Sequence, residues 1–359
     1  MNALESQLIY PLGDTLPESG HCLTVAPGVK WLRMALPFAL NHINLWLVAD
    51  AFQGVEGWAI VDTGIADPAT QAAWERVLSA ELDGQPITRV IVTHMHPDHV
   101  GNAHWLCDTL GVPLYMSMTD YCLSRALLAS PSGSGGAAAA AHFAANGLNA
   151  PDDIDKVIKR AGHYGAMVPA MPQSYARLMH GQMLHMGNST HGKTSWQLIT
   201  GYGHSPEHMS LYCPELNVCI SGDMLLPRIS TNVAVWDMEP EGNSLPLFLD
   251  SIAAYLALPA DVLVLPSHGK PFKNAHVRVK QLQDHHADRL AELVAAARAA
   301  GAHGINGVDA VRVLFNRELD LHQMTFALGE ALAHLHMLWY AGTLKRFKST
   351  TGVWQFALA

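Results

Sequence analysis

Cysteine is scarce in this chain: five in 359 residues, at Cys22, Cys107, Cys122, Cys213 and Cys219. The number is odd and no C-x-x-C spacing occurs, which excludes a disulfide framework and makes buried thiols in a reducing compartment the expectation. No apolar run approaches the length of a membrane span, and the opening Met1-Asn2-Ala3-Leu4-Glu5 shows no basic stretch followed by an apolar core. A soluble, cytoplasmic protein with no membrane partner is therefore expected. Basic charge is also short, with 22 Lys and Arg against 31 Asp and Glu and a formal net charge of −9. Bulk attraction to nucleic acid is thereby disfavoured, though local patches can still override it. Neither a GxGxxG turn after a strand nor a Walker lysine loop is present, so nothing calls for an organic cofactor. The glycine cluster Gly133-Ser134-Gly135-Gly136 precedes an alanine run and reads as a flexible loop. No internal repeat appears.

Histidine, in contrast, is plentiful at 21 residues. Four candidate metal ligands crowd into Thr93-His94-Met95-His96-Pro97-Asp98-His99, directly after the β-branched run Arg89-Val90-Ile91-Val92. That run reads as a buried strand, which puts the histidines at its C-terminal end. In extended backbone His94 and His96 point the same way, while the turn at Pro97 swings Asp98 and His99 toward a neighbouring point. One short loop can thus serve two adjacent ions. Imidazole nitrogen and carboxylate oxygen without thiolate suit catalytic Zn²⁺, and Mn²⁺ or Fe²⁺ tolerate the same donors. Further candidates are His204 in Gly203-His204-Ser205-Pro206-Glu207-His208, Asp223 in Ser221-Gly222-Asp223, and His268 in Pro266-Ser267-His268-Gly269. Each follows a strand-like run: Trp196–Ile199, Val218–Ile220 and Val262–Leu265. Loops at strand ends are where active sites gather.

HxHxDH, a later GH, a GD and a final SHG resemble the metallo-β-lactamase superfamily in its glyoxalase II-like branch, over about residues 20–290. The resemblance implies an αββα sandwich. It also implies a first metal on His94, His96 and His204, a second on Asp98, His99 and His268, and Asp223 bridging the two. Val61-Asp62-Thr63-Gly64 matches the family's early strand-turn signature, in which Asp62 stands behind the ligands and steadies their loop. Glu207 or His208 is a further candidate for orienting a ligand. The activity implied is that of a binuclear metal-dependent hydrolase, with a metal-bridging hydroxide as nucleophile and Asp98 as catalytic proton acceptor.

The first strands are expected in 30–64, a capped helix over Pro68–Leu82 and a second over Gly101–Leu110. A long helical insertion is expected over about 120–193, with no strand until Trp196. Its Met167, Met171, Met179, Met183 and Met186, with Tyr164 and Tyr175, are candidates to line a substrate pocket as a lid. Arg228 and Lys270, just past Asp223 and His268, are candidates to meet an anionic substrate. Helices are expected over Asp250–Leu258 and Ala275–Ala300. Residues 1–304 thus read as the catalytic domain. The segment 305–359 reads as helix (Val308–Phe315), helix (Gln323–Tyr340) and hairpin, a pattern similar to the winged-helix module of endoribonuclease-like relatives. Its five Lys and Arg against four Asp and Glu leave little phosphate footprint. Packing on the metal domain or a homodimer contact is the expectation.

The leading reading is hydrolysis of a small ester, thioester or lactone. The alternative is a metal-dependent ribonuclease or phosphodiesterase. A non-catalytic regulator and non-haem iron oxygen chemistry are further readings of the same ligand set.

Overall fold

The computed structural model describes residues 4–130 and 135–359. Alternation of side chains along four antiparallel strands starts the fold: β1 (Leu23–Ala26), β2 (Val29–Ala35), β3 (His42–Phe52) and β4 (Val55–Val61). Trp31, Trp46, Ala59 and Val61 point to one face, and Leu32, Leu45, Leu47, Trp58 and Ile60 to the other. Both faces are buried, so these strands carry an apolar residue at nearly every position instead of an apolar–polar alternation.

Helix α1 (Pro68–Ala80) opens on Asp67, whose carboxylate accepts from the Ala69 and Thr70 amides at 2.8 and 2.9 Å, with Pro68 at the first helical position. Strand β5 (Ile87–Ile91) then pairs parallel to β4, which brings the C-terminal ends of both strands to one edge. The helix expected over 101–110 is α3 (Ala103–Leu110), preceded by a single turn α2 (Pro97–Val100) inside the histidine motif. Strand β6 (Leu114–Ser117) follows.

Four helices follow: α4 (Met118–Ala129), α5 (Gly136–Ala145), α6 (Pro151–Lys159) and α7 (His163–Met167). The rest of the expected helical insertion is not helical. It forms β7 (Ala176–Leu178), β8 (Met183–Asn188) and the start of β9 (Gly192–Gly201). In β8, Leu184 and Met186 alternate inward and Met183 outward, a period-two pattern that helix-forming methionines disguise. Of the glycine run 133–136, residues 133 and 134 lie outside the described residues, and Gly136 opens α5.

β10 (His208–Cys213), β11 (Val218–Gly222), α8 (Ser244–Ala253) and β12 (Leu263–Pro266) complete the second half. α8 starts six residues before the expected Asp250 and passes into a 3-10 turn over Ala254–Ala257. The first sheet runs β1 to β7 in order, and the second runs β12-β11-β10-β9-β8. Between the sheets lie Trp31, Trp46, Trp196, Leu198, Leu211 and Ile220. Outside the first sheet, α1, α3, α4 and α7 cover a second cluster that includes Trp58, Trp74 and Leu106. Outside the second, α8 and α9 (Ala275–Ala300) cover a third. The architecture is an αββα sandwich. Each buried large side chain contributes about 1.5–3 kcal/mol.

The chain closes with α10 (Gly307–Leu314), α11 (Leu321–Tyr340) and a hairpin of β13 (Leu344–Lys348) and β14 (Trp354–Leu358). Capping boxes start both helices, Asn306 with Asp309 and Asp320 with Gln323. Leu328, Leu332, Leu335 and Phe356 share one continuous core with α8 and α9. No helix among the described residues is long and apolar enough to cross a membrane.

Candidate metal centre

Parallel pairing of β4 with β5 and of β11 with β12 delivers Asp62, the His94 loop, Asp223 and His268 to one edge of the sandwich. Backbone hydrogen bonds stitch the two sheets there: Asn44 N–H to the Ser267 carbonyl at 2.7 Å, and Met209 N–H to the Thr93 carbonyl at 2.8 Å.

Seven side chains gather in two groups at that edge: His94, His96, His204 and Asp223, and Asp98, His99 and His268. In the first, His94 Nε2, His96 Nδ1 and His204 Nε2 lie 2.9, 3.1 and 3.1 Å apart, and Asp223 Oδ2 is 3.3 Å from His204 Nε2. Asp223 turns its other oxygen, Oδ1, to the second group, 3.6 Å from His99 Nε2 and 3.5 Å from His268 Nε2. Asp98 Oδ2 stands 3.7 and 3.4 Å from the same two nitrogens.

Four of the outward-facing nitrogens are committed. His99 Nδ1 donates to Asp62 Oδ2 at 2.8 Å, His204 Nδ1 to the Asn232 carbonyl at 2.8 Å, and His268 Nδ1 to the His42 carbonyl at 2.8 Å. His94 Nδ1 lies 3.0 Å from Thr93 Oγ1. Each such bond fixes the tautomer and leaves an unprotonated Nε2 facing inward. Asp62 sits in the left-handed region at φ 63° and also accepts from the Thr93 amide and hydroxyl at 2.8 and 2.9 Å. Gly222, at φ 54°, is required before Asp223, because a Cβ there would lie 2.2 Å from His208 Nε2. That nitrogen accepts the Asp223 amide at 3.2 Å, so His208 props the backbone of Asp223.

His99 Nε2 and Asp223 Oδ1 are buried without a hydrogen-bond partner. Unpaired buried lone pairs are costly, and inward-facing imidazole nitrogens about 3 Å apart repel unless a proton or a metal cation lies between them. Separations of 2.9–3.7 Å suit the edges of a tetrahedral or octahedral shell with N and O donors at about 2.0–2.2 Å. The donor set fits divalent metals. Electrostatics agree: burial and the neighbouring imidazoles push His94 well below the usual range and His96 down to about 3, keeping both neutral. At the second group burial opposes charge, yet the carboxylates outweigh it, raising His99 and bringing His268 up to about 10, so their inward Nε2 atoms attract a proton when no ion is present and a bound cation would take its place.

The chain matches the metallo-β-lactamase superfamily model over residues 40–268, and a model described as the metallo-β-lactamase-like C-terminal domain over residues 290–359. This chain belongs to the metallo-β-lactamase superfamily. A β-lactamase domain protein from Burkholderia ambifaria is 48% identical, with 100% of both chains covered and a TM-score of 0.92. A metallo-β-lactamase family protein from Thermus thermophilus is 25% identical over 94% of this chain and 100% of that one, with a TM-score of 0.74. An uncharacterized protein from Aquifex aeolicus is 26% identical over 233 residues, 65% of this chain and 87% of that one. As a member of the superfamily the protein is a metal-dependent hydrolase.

Candidates outside the cage fall differently. Tyr164 is 3% exposed and its hydroxyl donates to the Met95 carbonyl at 2.8 Å, so it braces the ligand loop from below instead of facing an opening. Tyr175 stacks on Tyr121 with ring centroids 4.0 Å apart. The methionines share no wall: Met167 and Met171 pack under the first sheet, Met186 between the sheets, and Met179 and Met183 are exposed. Lys270 is paired with Asp14 at 2.6 Å and with the Gly13 carbonyl, and Arg228 is exposed with Glu5 4.0 Å away. Glu207 accepts the Thr119 amide.

Two supporting residues escaped the sequence reading. Asp120, fully buried, accepts the Met95 amide at 2.9 Å and the Glu207 amide at 2.7 Å, tying the two ligand loops together. Burial lifts its carboxyl to about 6 against the pull of those amides. His42 offers its carbonyl to His268 and its Nε2 to the Gly269 amide at 2.8 Å. Neither lies in a motif.

Proposed function

We propose that the chain is a binuclear hydrolase of a small ester, thioester or lactone, in the manner of the glyoxalase II-like branch. The observation that carries this reading is the placement of Asp223, whose two oxygens face two separate donor groups. Zn²⁺ is the proposed ion, from imidazole and carboxylate donors, with Mn²⁺ and Fe²⁺ compatible. When bound, the pair supplies a water activated near neutral pH and polarises the substrate carbonyl.

The chain's own groups do the rest. His94, His96, His204, Asp98, His99 and His268 hold the pair, and Asp62, His208, Asp120 and Thr93 keep them aimed. Asp98 belongs to the second group but its side chain remains 19% exposed, so its carboxylate is placed to take a proton from the attacking water and pass it to the departing alkoxide or thiolate as the tetrahedral intermediate collapses. Five unpaired thiols support a reducing, cytosolic setting.

A phosphodiesterase reading draws on the C-terminal unit, whose helix, helix and hairpin order fits a winged helix. Arg346 of that hairpin lies 3.8 Å over Trp339 of α11 and 4.2 Å over Trp354, the cation and aromatic types that contact bases, but its side chain is only 9% exposed between the two rings. Both of its short contacts go to Glu241, which favours the ester reading. Emission spectrometry for metal content followed by a panel of thioesters, lactones, phosphodiesters and RNA separates the two. Turnover of phosphodiesters alone would sink the acyl reading.

A further inference from the structure

Thr231 and Asn232 lie in the irregular segment after Asp223, and each serves a ligand. The Thr231 hydroxyl donates to the Asp223 carbonyl at 2.5 Å, and the Asn232 carbonyl accepts His204 Nδ1–H at 2.8 Å. His204 and Asp223 are the pair that joins the first donor group to the shared carboxylate, 3.3 Å apart. The segment is held from behind by α11. Val235 N–H donates to the Gly329 carbonyl at 3.0 Å, and the ring of Phe326, one turn earlier, meets Trp236 edge-on with centroids 5.5 Å apart. Ala234 approaches Gly329 so closely that a Cβ on the glycine would lie 2.9 Å from the Cβ of Ala234. That methyl is fixed to its backbone and cannot swing aside, so only glycine allows the helix this near.

We infer that α11, in the C-terminal unit, is a positioning element of the metal centre: through the 231–235 segment it fixes His204 and Asp223 and so sets the affinity of the first donor group. The inference rests on the reading that these side chains hold cations. Groups that orient metal ligands are worth about 10–100-fold in metal affinity, and a shift of a few tenths of an ångström at 234 reaches the His204 partner two residues away. The effect runs against helix propensity, because alanine in place of a mid-helix glycine normally stabilises by about 1 kcal/mol.

The test uses the full chain, stripped of metal and titrated with Zn²⁺ against a chromophoric chelator, for wild type, Gly329→Ala, Ala234→Gly and the double variant. Gly329→Ala is expected to weaken one zinc equivalent about tenfold or more, without lowering the melting temperature of the metal-free protein. The double variant, which restores the space, is expected to recover the wild-type Kd. A wild-type Kd in Gly329→Ala, or a double variant as weak as the single one, overturns the inference while leaving the hydrolase reading intact. A wild-type chain that takes up no zinc overturns both. Should Gly329→Ala fail to fold, Phe326→Ala decides, since Phe326 is 40% exposed: weakened zinc binding supports the inference and an unchanged Kd overturns it.

Discussion

At the scale of single residues, the proposed cage divides its work between groups that would hold cations and groups that aim them. Asp98→Ala removes a donor and the proposed proton acceptor together. We expect turnover to fall by about 10²–10⁴-fold, with at least one metal retained. Steady-state kinetics beside metal analysis decides it: unchanged kcat with two metals bound would reassign the acceptor. Asp62 receives three donors, the Thr93 amide, the Thr93 hydroxyl and His99 Nδ1. Asp62→Asn turns an amide toward one of them at a cost of about 1–3 kcal/mol, and the freed His99 ring should lower metal affinity about 10–100-fold. Zinc competition titration would read the change, and an unaltered Kd would show that His99 is aimed by packing alone. The seven candidate donors that gather here were legible in the sequence because they stand in one loop and a few short motifs at strand ends. Asp120 was not. Its partners, the amides of Met95 and Glu207, are 25 and 87 residues away, and nothing around Asp120 marks it as an acceptor for two ligand loops.

At the scale of elements, strand β3 shows how one segment separates stability from chemistry. Its first residue, His42, touches the metal edge, while Asp50 near its other end accepts Arg89 in two contacts of 2.6 and 2.9 Å, and Thr88 Oγ1 at 2.5 Å. Eight residues of strand place these ends about 26 Å apart. Asp50→Ala leaves a buried guanidinium unpaired, and a loss of about 3–5 kcal/mol is expected. Urea unfolding should register that loss, whereas zinc stoichiometry should not move. Fewer bound ions in the folded variant would mean that strain travels along β3. Strands β2 to β5 were readable because buried β-branched and aromatic runs leave few other options. β8 hid its alternation under methionine and leucine, residues equally at home in helices, so a helix was expected where a strand stands. The helical insertion is shorter than expected for the same reason, since β8 belongs to the second sheet. The C-terminal helices were found to within two residues because their periodicity is strong.

At the scale of the whole molecule, the C-terminal unit shares a core with α9, and that core contains titratable groups. His286 on α9 donates from Nδ1 to Nε2 of His334 on α11 at 3.0 Å, and His334 Nδ1 donates to the Glu330 carbonyl at 2.8 Å. Burial depresses both: His286 to about 3, helped by His334 and His285, and His334 to about 4, helped by His285 and Arg289 against its bond to the Glu330 carbonyl. Their folded values lie below the unfolded value near 6.5, so the unfolded chain binds these protons first. The stability contributed by the neutral pair is complete above pH 6.5 and is lost as pH falls toward 4 and then 3, at up to about 1.4 kcal/mol per pH unit for each imidazole. Glu330 works the other way: burial raises its carboxyl to about 7, so its ionisation takes stability away as pH rises from 4.5 through 7. The pH of greatest stability should therefore lie near 6 to 7 for the metal-free protein, with a steep acid side. His286→Phe removes one depressed imidazole from the joint between α9 and α11. Its urea midpoint between pH 6.5 and 4.5 should fall less steeply than that of the wild type, by about one proton's worth of slope. Parallel curves for the two proteins would mean that these histidines are protonated in the folded state and that the joint between the C-terminal unit and the sandwich is indifferent to acid.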